Sequence, residues 1–429
     1  MKKKYRIILY TSIFLLCVVA SIILVVKKSN SVYEEESKPK VVKHKSMLSM
    51  NLEQTAGAGD YKTVTQSSWP TEGYKFNAEL SRCENGSTLS WDDTKKAVIV
   101  SGNLSDKCYV YFDIYQPTLA EYIKSQYTGT QGENNIYYHD SDLANGAGDN
   151  SYRYAGANPN NFVCFGSDTS PCPTDNLYRI IGVFGENYHG VTGKQLVKLI
   201  KYDYMTTDEL GTDGDYSQTY KEWGMDSTYK GTYGDGERIG VYYWNYKATG
   251  SATNTWSTSL LNKTNLNTNF INNIGTTWAN KIATVTWKVG GNTSANISDV
   301  VPATTYQNEI VNPVTTNTTD NATTYSAKIG LMYVSDYGFA ASPEAWTLTM
   351  SSYNNTTATN NNWMYMGLYE WTISRYADFS YDAFLVLNDG IVYGDGVDGS
   401  RGVRASFSLE SSVSYVSGSG SMSDPIVIN

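Results

Sequence analysis

The sequence predicts a mixed α+β protein with three parts: an N-terminal transmembrane helix, a small disulfide-stapled β module, and a larger domain rich in β hairpins and long loops. Three observations predict it. An uncharged apolar run fills residues 7–26, four cysteines lie outside that run, and short β-branched and aromatic segments bounded by Gly, Asn and Asp recur along the rest. Only 17% of residues are charged and 41% are hydrophobic, which excludes a disordered chain or a coiled coil.

Ile7 to Val26 is a run of 20 residues. As a helix rising about 1.5 Å per residue it spans roughly 30 Å, the thickness of a bilayer's hydrocarbon core. Lys27-Lys28 follows at once, with no small-x-small cleavage site, so a retained anchor is expected rather than a cleaved leader. The opening cluster MKKKYR favours a cytoplasmic N-terminus and an extracellular body, with residues 1–28 as tip and anchor. Six of the 33 basic groups precede residue 29, leaving 27 against 42 acidic groups, a net of −15 for the remainder. Such a body does not suit nucleic acid. Residues 29–67, charge-rich and then Gly/Ala-rich, read as a spacer.

Residues 68–113 have the pattern of a small β module: GYKFNAEL, TLSWD, KAVIVSG and CYVYFDI are strand-like segments with polar turns between them. Cys83, Cys108, Cys164 and Cys172 lie in the part placed outside the cell, where disulfides are expected. Four cysteines allow three pairings, and proximity favours Cys83–Cys108 and Cys164–Cys172.

The larger domain is read as residues 114–429. Thr118-Leu119-Ala120-Glu121 is a capping box that opens a helix. LYRIIGVF and QLVKLIKYDYM predict a hairpin whose alternation turns Tyr178, Ile180, Val197 and Leu199 to the core. The 257–274 segment has helical spacing, and KIGLMYVSDYGFA (328–340) reads as strand. About 205–250 and 288–327 are polar and look like exposed insertions.

Trp363 to Leu409 is the richest stretch. WTISR, AFLVL and GVRASFSL are strand-like, and Asn388-Asp389-Gly390 predicts a tight turn of the primed type, with positive φ at both central residues. Around these strands lie Tyr365, Tyr369, Tyr376, Asp378, Tyr381, Asp382, Tyr393, Asp395, Asp398 and Arg401. Loops of Tyr and Asp on a strand frame are how many binding surfaces are built, because tyrosine gives contact area at low entropic cost. These ten residues are the candidate ligand-binding set; an exposed hairpin of an acidic β protein is the plain alternative.

Other chemistry is sparsely signalled. Asp140, Asp142 and Asp149 offer oxygen ligands at short spacing, yet Ala144 stands where an EF-hand would place a third ligand. A loop held by its own side-chain hydrogen bonds is expected there, with no cofactor, calcium being the one alternative. With three histidines in all, and neither H-E-x-x-H nor Cys-x-x-Cys, a zinc site is not expected. A glycosidase would need two carboxylates at one cleft with aromatic platforms, for which Glu344 beside Trp346 and Glu370 beside Trp371 are the recruits.

The segments NSYRYAGANPNNFVCFGSDTSPCPTDNLYRIIGVFG, KLIKYDYM, IGLMYVSDYGFA, WTISR, AFLVLNDG and GVRASFSLESSVSYVSGSG resemble a family of uncharacterised membrane-anchored surface proteins of low-GC Gram-positive gut bacteria, over roughly residues 68–429. The C-terminal domain of that family resembles the C-type-lectin-like fold in its formylglycine-generating-enzyme branch, which ends on a strand such as Gly402-Val403-Arg404. The oxidases of that branch need a late cysteine pair, and here no cysteine follows Cys172. The resemblance implies a C-type-lectin-like domain without oxidase chemistry. Taken together, the expectation is a single-pass, N-in, non-enzymatic surface protein that binds an extracellular glycan or protein through C-terminal loops. A carbohydrate-active hydrolase and a purely structural envelope protein are the alternatives.

Overall fold

The computed structural model describes residues 48–65, 68–70, 73–185, 193–223, 228–234, 236–292, 300–313, 323–353 and 360–429. They form two units that divide after Gln116. Among the described residues no helix is long and apolar enough to cross a membrane; the expected span, 7–26, lies outside them.

The first unit holds six strands: β1 (Leu48–Glu53), β2 (Tyr61–Val64), β3 (Tyr74–Cys83), β4 (Thr88–Asp92), β5 (Ala97–Ser101) and β6 (Cys108–Ile114). Four of them make a sheet in the order β2-β1-β6-β3, with β1 parallel to β6, while β4 and β5 pair as a hairpin. Alternation along β6 turns Val110 and Phe112 inward beside Met50 and Leu52 of β1. Trp69, Phe76 and Trp91 close over the Phe112 ring at 5.9, 5.9 and 5.5 Å. Residues 48–64, read from sequence as the end of a spacer, are therefore part of this module. Their polar, Gly-rich middle (Thr55–Asp60) masked the two short strands on either side.

Cys83 and Cys108 sit directly opposite each other on β3 and β6 and are bonded, with Cα atoms 3.9 Å apart. So small an apolar core leans on such a tie. With 25 residues of sequence separation, loop-closure entropy makes the bond worth about 3–4 kcal/mol. The Cys83→Ser/Cys108→Ser protein is expected to open in this unit first. Pulse proteolysis in urea, with cleavages mapped to residues 48–114, checks it; a midpoint unchanged from the oxidised protein would refute it.

The second unit is built on an antiparallel sheet of β7 (Ile136–His139), β8 (Ser151–Tyr154), β9 (Phe162–Cys164), β10 (Leu177–Phe184), β11 (Leu196–Lys201), β16 (Ile329–Gly330) and β21 (Ser406–Ser408). The order is β16-β21-β11-β10-β8-β7, with β9 also on β10. Helix α1 (Leu119–Ser125) carries the expected capping box and buries Leu119, Ala120 and Ile123. β10 and β11 pair as expected, but every residue of both is buried, not only alternate ones. The sheet is covered on both faces, so Arg179, Lys198 and Lys201 lie inside with Tyr178, Ile180, Val197 and Leu199. Cys164 and Cys172 are bonded.

Around this sheet run β12 (Tyr216–Thr219) and β13 (Gly240–Tyr243) with β20 (Ser400–Arg401), the pair β14 (Val285–Lys288) and β15 (Thr324–Ala327), the set β17 (Glu370–Arg375), β18 (Asp382–Val386) and β19 (Val392–Gly396), and the terminal pair β22 (Tyr415–Ser417) and β23 (Val427–Ile428). The helical reading of 257–274 holds as a π-helical stretch over Leu261–Phe270 followed by α2 (Ile271–Ala279). Indoles join β13 to β17 reciprocally: Trp244 donates to the Thr372 carbonyl at 2.9 Å and Trp371 to that of Tyr242 at 3.0 Å.

Three expectations give way. Residues 328–340 are strand only at Ile329–Gly330 and then turn into helix α4 (Val334–Ala340), entered after the short helix α3 (Pro302–Tyr306). Asp336 accepts the Tyr333 amide at the helix start, a capping interaction that the apolar run concealed. Described residues of both supposed insertions belong to the core: Tyr306, Glu309 and Ile310 are buried, as are Tyr220, Ile239, Val241 and Trp244. The turn after β18 has positive φ only at Gly390 (94°), with the Gly390 amide bonded to the Leu387 carbonyl and the Leu387 amide to that of Ile391. That is a plain turn closed by a glycine bulge, not a primed turn.

Candidate functional site

The sequence-predicted residues divide into a buried group and an exposed group. Tyr365 and Tyr376 are buried. Tyr365 donates its hydroxyl to the Asn388 carbonyl and lies under Lys230, 4.3 Å from its ring centre. Tyr376 packs on Phe384 at 4.4 Å and crosses Gly394, where any side chain would strike its ring. Both are core tyrosines that support the β18–β19 hairpin. Neither is a contact surface, and their place among loop residues in the sequence gave no sign of it.

The exposed group gathers at the hairpin. Tyr381 and Tyr393 expose 51% and 58% of their surface and Phe379 exposes 40%, unusual for large rings. Phe379 and Tyr381 stand edge to face at 6.0 Å. Asp382 lies on β18, and its carboxyl is held above the usual range by partial burial and by the fields of Asp395, Asp378 and Asp398. All four carboxylates therefore share one neighbourhood. Arg401 of β20 pairs with Asp395 and lies 5.4 Å over the Tyr369 ring and 6.0 Å over Trp371. Eight of the ten predicted residues thus belong to this rim or its floor.

Asn254 positions the rim, and sequence reading missed it. Fully buried, it donates its side-chain amide to the carbonyls of Tyr376 (3.0 Å), Phe379 (2.7 Å) and Asp382 (2.8 Å), and its backbone amide to that of Ser380 (2.7 Å). The loop bearing Phe379 and Tyr381 is thus fixed to a segment more than 120 residues away in sequence. In a chain dense in Asn and Thr nothing local distinguishes this one. Asn245 does likewise nearby, holding the carbonyls of Thr253 and Val397.

Two of the three metal candidates, Asp140 and Asp149, have carboxylates engaged in hydrogen bonds, while Asp142 takes part through its backbone amide. Asp140 accepts the amides of Asp142 and Leu143 at 3.1 and 3.0 Å, an Asx turn. Asp149 faces inward, accepting from Arg153 at 2.8 Å and from the Tyr306 hydroxyl at 2.7 Å. Among the described residues no group of three or more His, Cys, Asp or Glu is placed to hold a metal ion. The glycosidase recruits are not arranged as a cleft: Trp346 and Trp371 are fully buried, and Glu370 is locked to Arg404.

A second charged cluster lies inside the unit. Arg153 bridges Asp149 and Asp336, the latter at 4.0 Å, and Lys198 contacts Asp336. Glu309 accepts the amides of Val334 and Ser335 at 3.0 and 3.1 Å, together with the Ser374 hydroxyl. Burial pushes its carboxyl up to about 7. Buried His139 accepts the Ala147 amide at Nδ1 (3.0 Å), and burial holds its ring well below its ordinary pKa. Comparisons of the chain with protein-family models, with curated proteins and with solved structures give no match.

Proposed function

We propose that this chain is a membrane-anchored extracellular binding protein whose larger unit, read as C-type-lectin-like, takes a glycan or protein ligand on the β18–β19 rim. The observation that carries the reading is the exposure of Phe379 and Tyr381, on a loop that buried Asn254 holds in place, and of Tyr393 on β19, beside four carboxylates. Preformed aromatic surface with hydrogen-bond acceptors at its edge binds at low ordering cost. Anchoring through residues 7–26 and the two disulfides accord with an extracellular body.

The test uses the full-length oxidised protein in detergent, applied to glycan and extracellular-protein arrays with calcium and then with chelator. The Tyr381→Ala/Tyr393→Ala protein is expected to lose at least about 10-fold in affinity for any ligand found, since truncated aromatic anchors each cost more than about 1 kcal/mol. Binding that survives this change would move the site elsewhere. Silence on every array by a folded protein would sink the reading for those ligand classes and favour a structural envelope role.

A further inference from the structure

We propose that Lys198 and Asp336 become joined by an amide bond between Nζ and Cγ, a covalent staple from the centre of the main sheet to helix α4. The two groups touch, and their side chains are 4% and 0% exposed. The ammonium stands 4.3 Å from the Tyr333 ring centre, 5.3 Å from Trp287 and 5.9 Å from Phe184. The Tyr333 amide holds Asp336 Oδ2 at 3.0 Å, so the carboxyl cannot turn away. Nucleophile and electrophile are thus fixed in contact inside an aromatic wall, where effective concentrations reach about 10⁵–10⁸ M.

The surroundings favour the reaction over a lasting ion pair. Burial draws Lys198 below its ordinary pKa, and the nearby Arg153 charge adds to this, so the neutral amine is accessible. Arg153 Nη1 faces the other carboxyl oxygen, Oδ1, at 4.0 Å, where negative charge develops as nitrogen adds to Cγ. Glu309, in the field of both groups, holds a proton near neutrality. Arg153 and Lys198 then balance Asp149 and Asp336. Amide formation removes one charge of each sign and leaves Arg153 paired with Asp149, so no buried charge is stranded.

The step needs no co-reactant. A proton passes from the ammonium to the carboxylate within the contact. The amine lone pair forms the C–N bond at Cγ, the C–OH bond breaks, and the hydroxyl leaves with the second amine proton as water. The dry interior opposes the return reaction.

Mass spectrometry of the full-length protein, reduced and denatured, tests this. The expected mass is short of the sequence by one water, and protease digestion yields a branched peptide joining the Lys198 and Asp336 segments. The branch makes the result independent of trimming at the chain ends. Lys198→Met, which keeps the apolar stem, restores the full mass. A wild-type protein with the full mass and two separate peptides would overturn the proposal and leave an ion pair only.

Discussion

Replacing Arg404 with methionine is expected to lower the unfolding free energy of the larger unit by about 3–5 kcal/mol, the usual cost of stranding one partner of a buried ion pair. Arg404 and Glu370 are 1% and 2% exposed, and the guanidinium grips the carboxylate with two bonds, Nε at 2.8 Å and Nη2 at 2.9 Å. The same Nη2 also donates to the Met364 carbonyl at 2.7 Å. Arg404 therefore ties the link between β20 and β21 to both the first residue of β17 and the segment leading into it. Methionine fills much of the volume and leaves Glu370 dry and without its counter-charge. The double variant Arg404→Met/Glu370→Leu removes both charges and should recover most of the loss. Urea unfolding of the wild type, both single variants and the double variant measures the coupling. A single-variant loss below about 1 kcal/mol would mean that water reaches the pair and that it holds little.

That pair shows where the sequence was legible and where it was not. Local chemistry was readable: the capping box at Thr118, the hairpin of β10 and β11, the strands WTISR and AFLVL, and both disulfides follow from residue type and spacing over short range. The gathering of Asp378, Asp382, Asp395 and Asp398 was readable too, because a single hairpin with its flanking loops carries all four. Which tyrosines face solvent was not. Tyr376 and Tyr381 are five residues apart in one polar loop, yet one is 8% exposed and the other 51%. The difference comes from Gly394 on the facing strand, which opens a slot for the Tyr376 ring.

The charged interior was the least legible part. Arg153, Arg179, Arg375 and Arg404 are all buried, and each looks like an outward residue of an alternating strand. Arg179 is held by Asn161 and the Pro159 carbonyl and lies between Phe162 and Trp363 at 4.2 and 4.7 Å; burial pushes it down to about 9. Partners that distant in sequence have no period or motif. Two-state alternation assumes one wet face, and this sheet has none.

Glu309 gives that interior a pH dependence with a definite sign. Its ordinary pKa is 4.5, and in the folded chain burial raises it to about 7. Between those values the folded state keeps a proton that the unfolded state releases, so stability falls as pH rises, by roughly 3 kcal/mol across the window. The groups facing it are the Ser374 hydroxyl, the Val334 and Ser335 amides, and the side chains of Asp336 and Lys198. His139 acts in the opposite direction: its lowered pKa means that stability is lost as pH falls below about 6.5. The wild-type profile alone therefore mixes the two. Glu309→Gln retains an oxygen acceptor for the helix amides and removes the titration, while leaving His139 in place. The wild type should lose stability relative to Glu309→Gln from pH 5 to pH 8, read from urea midpoints at each pH. Parallel profiles would mean that Glu309 stays ionised throughout, held by its three donors, and that this enclosure carries a net negative charge.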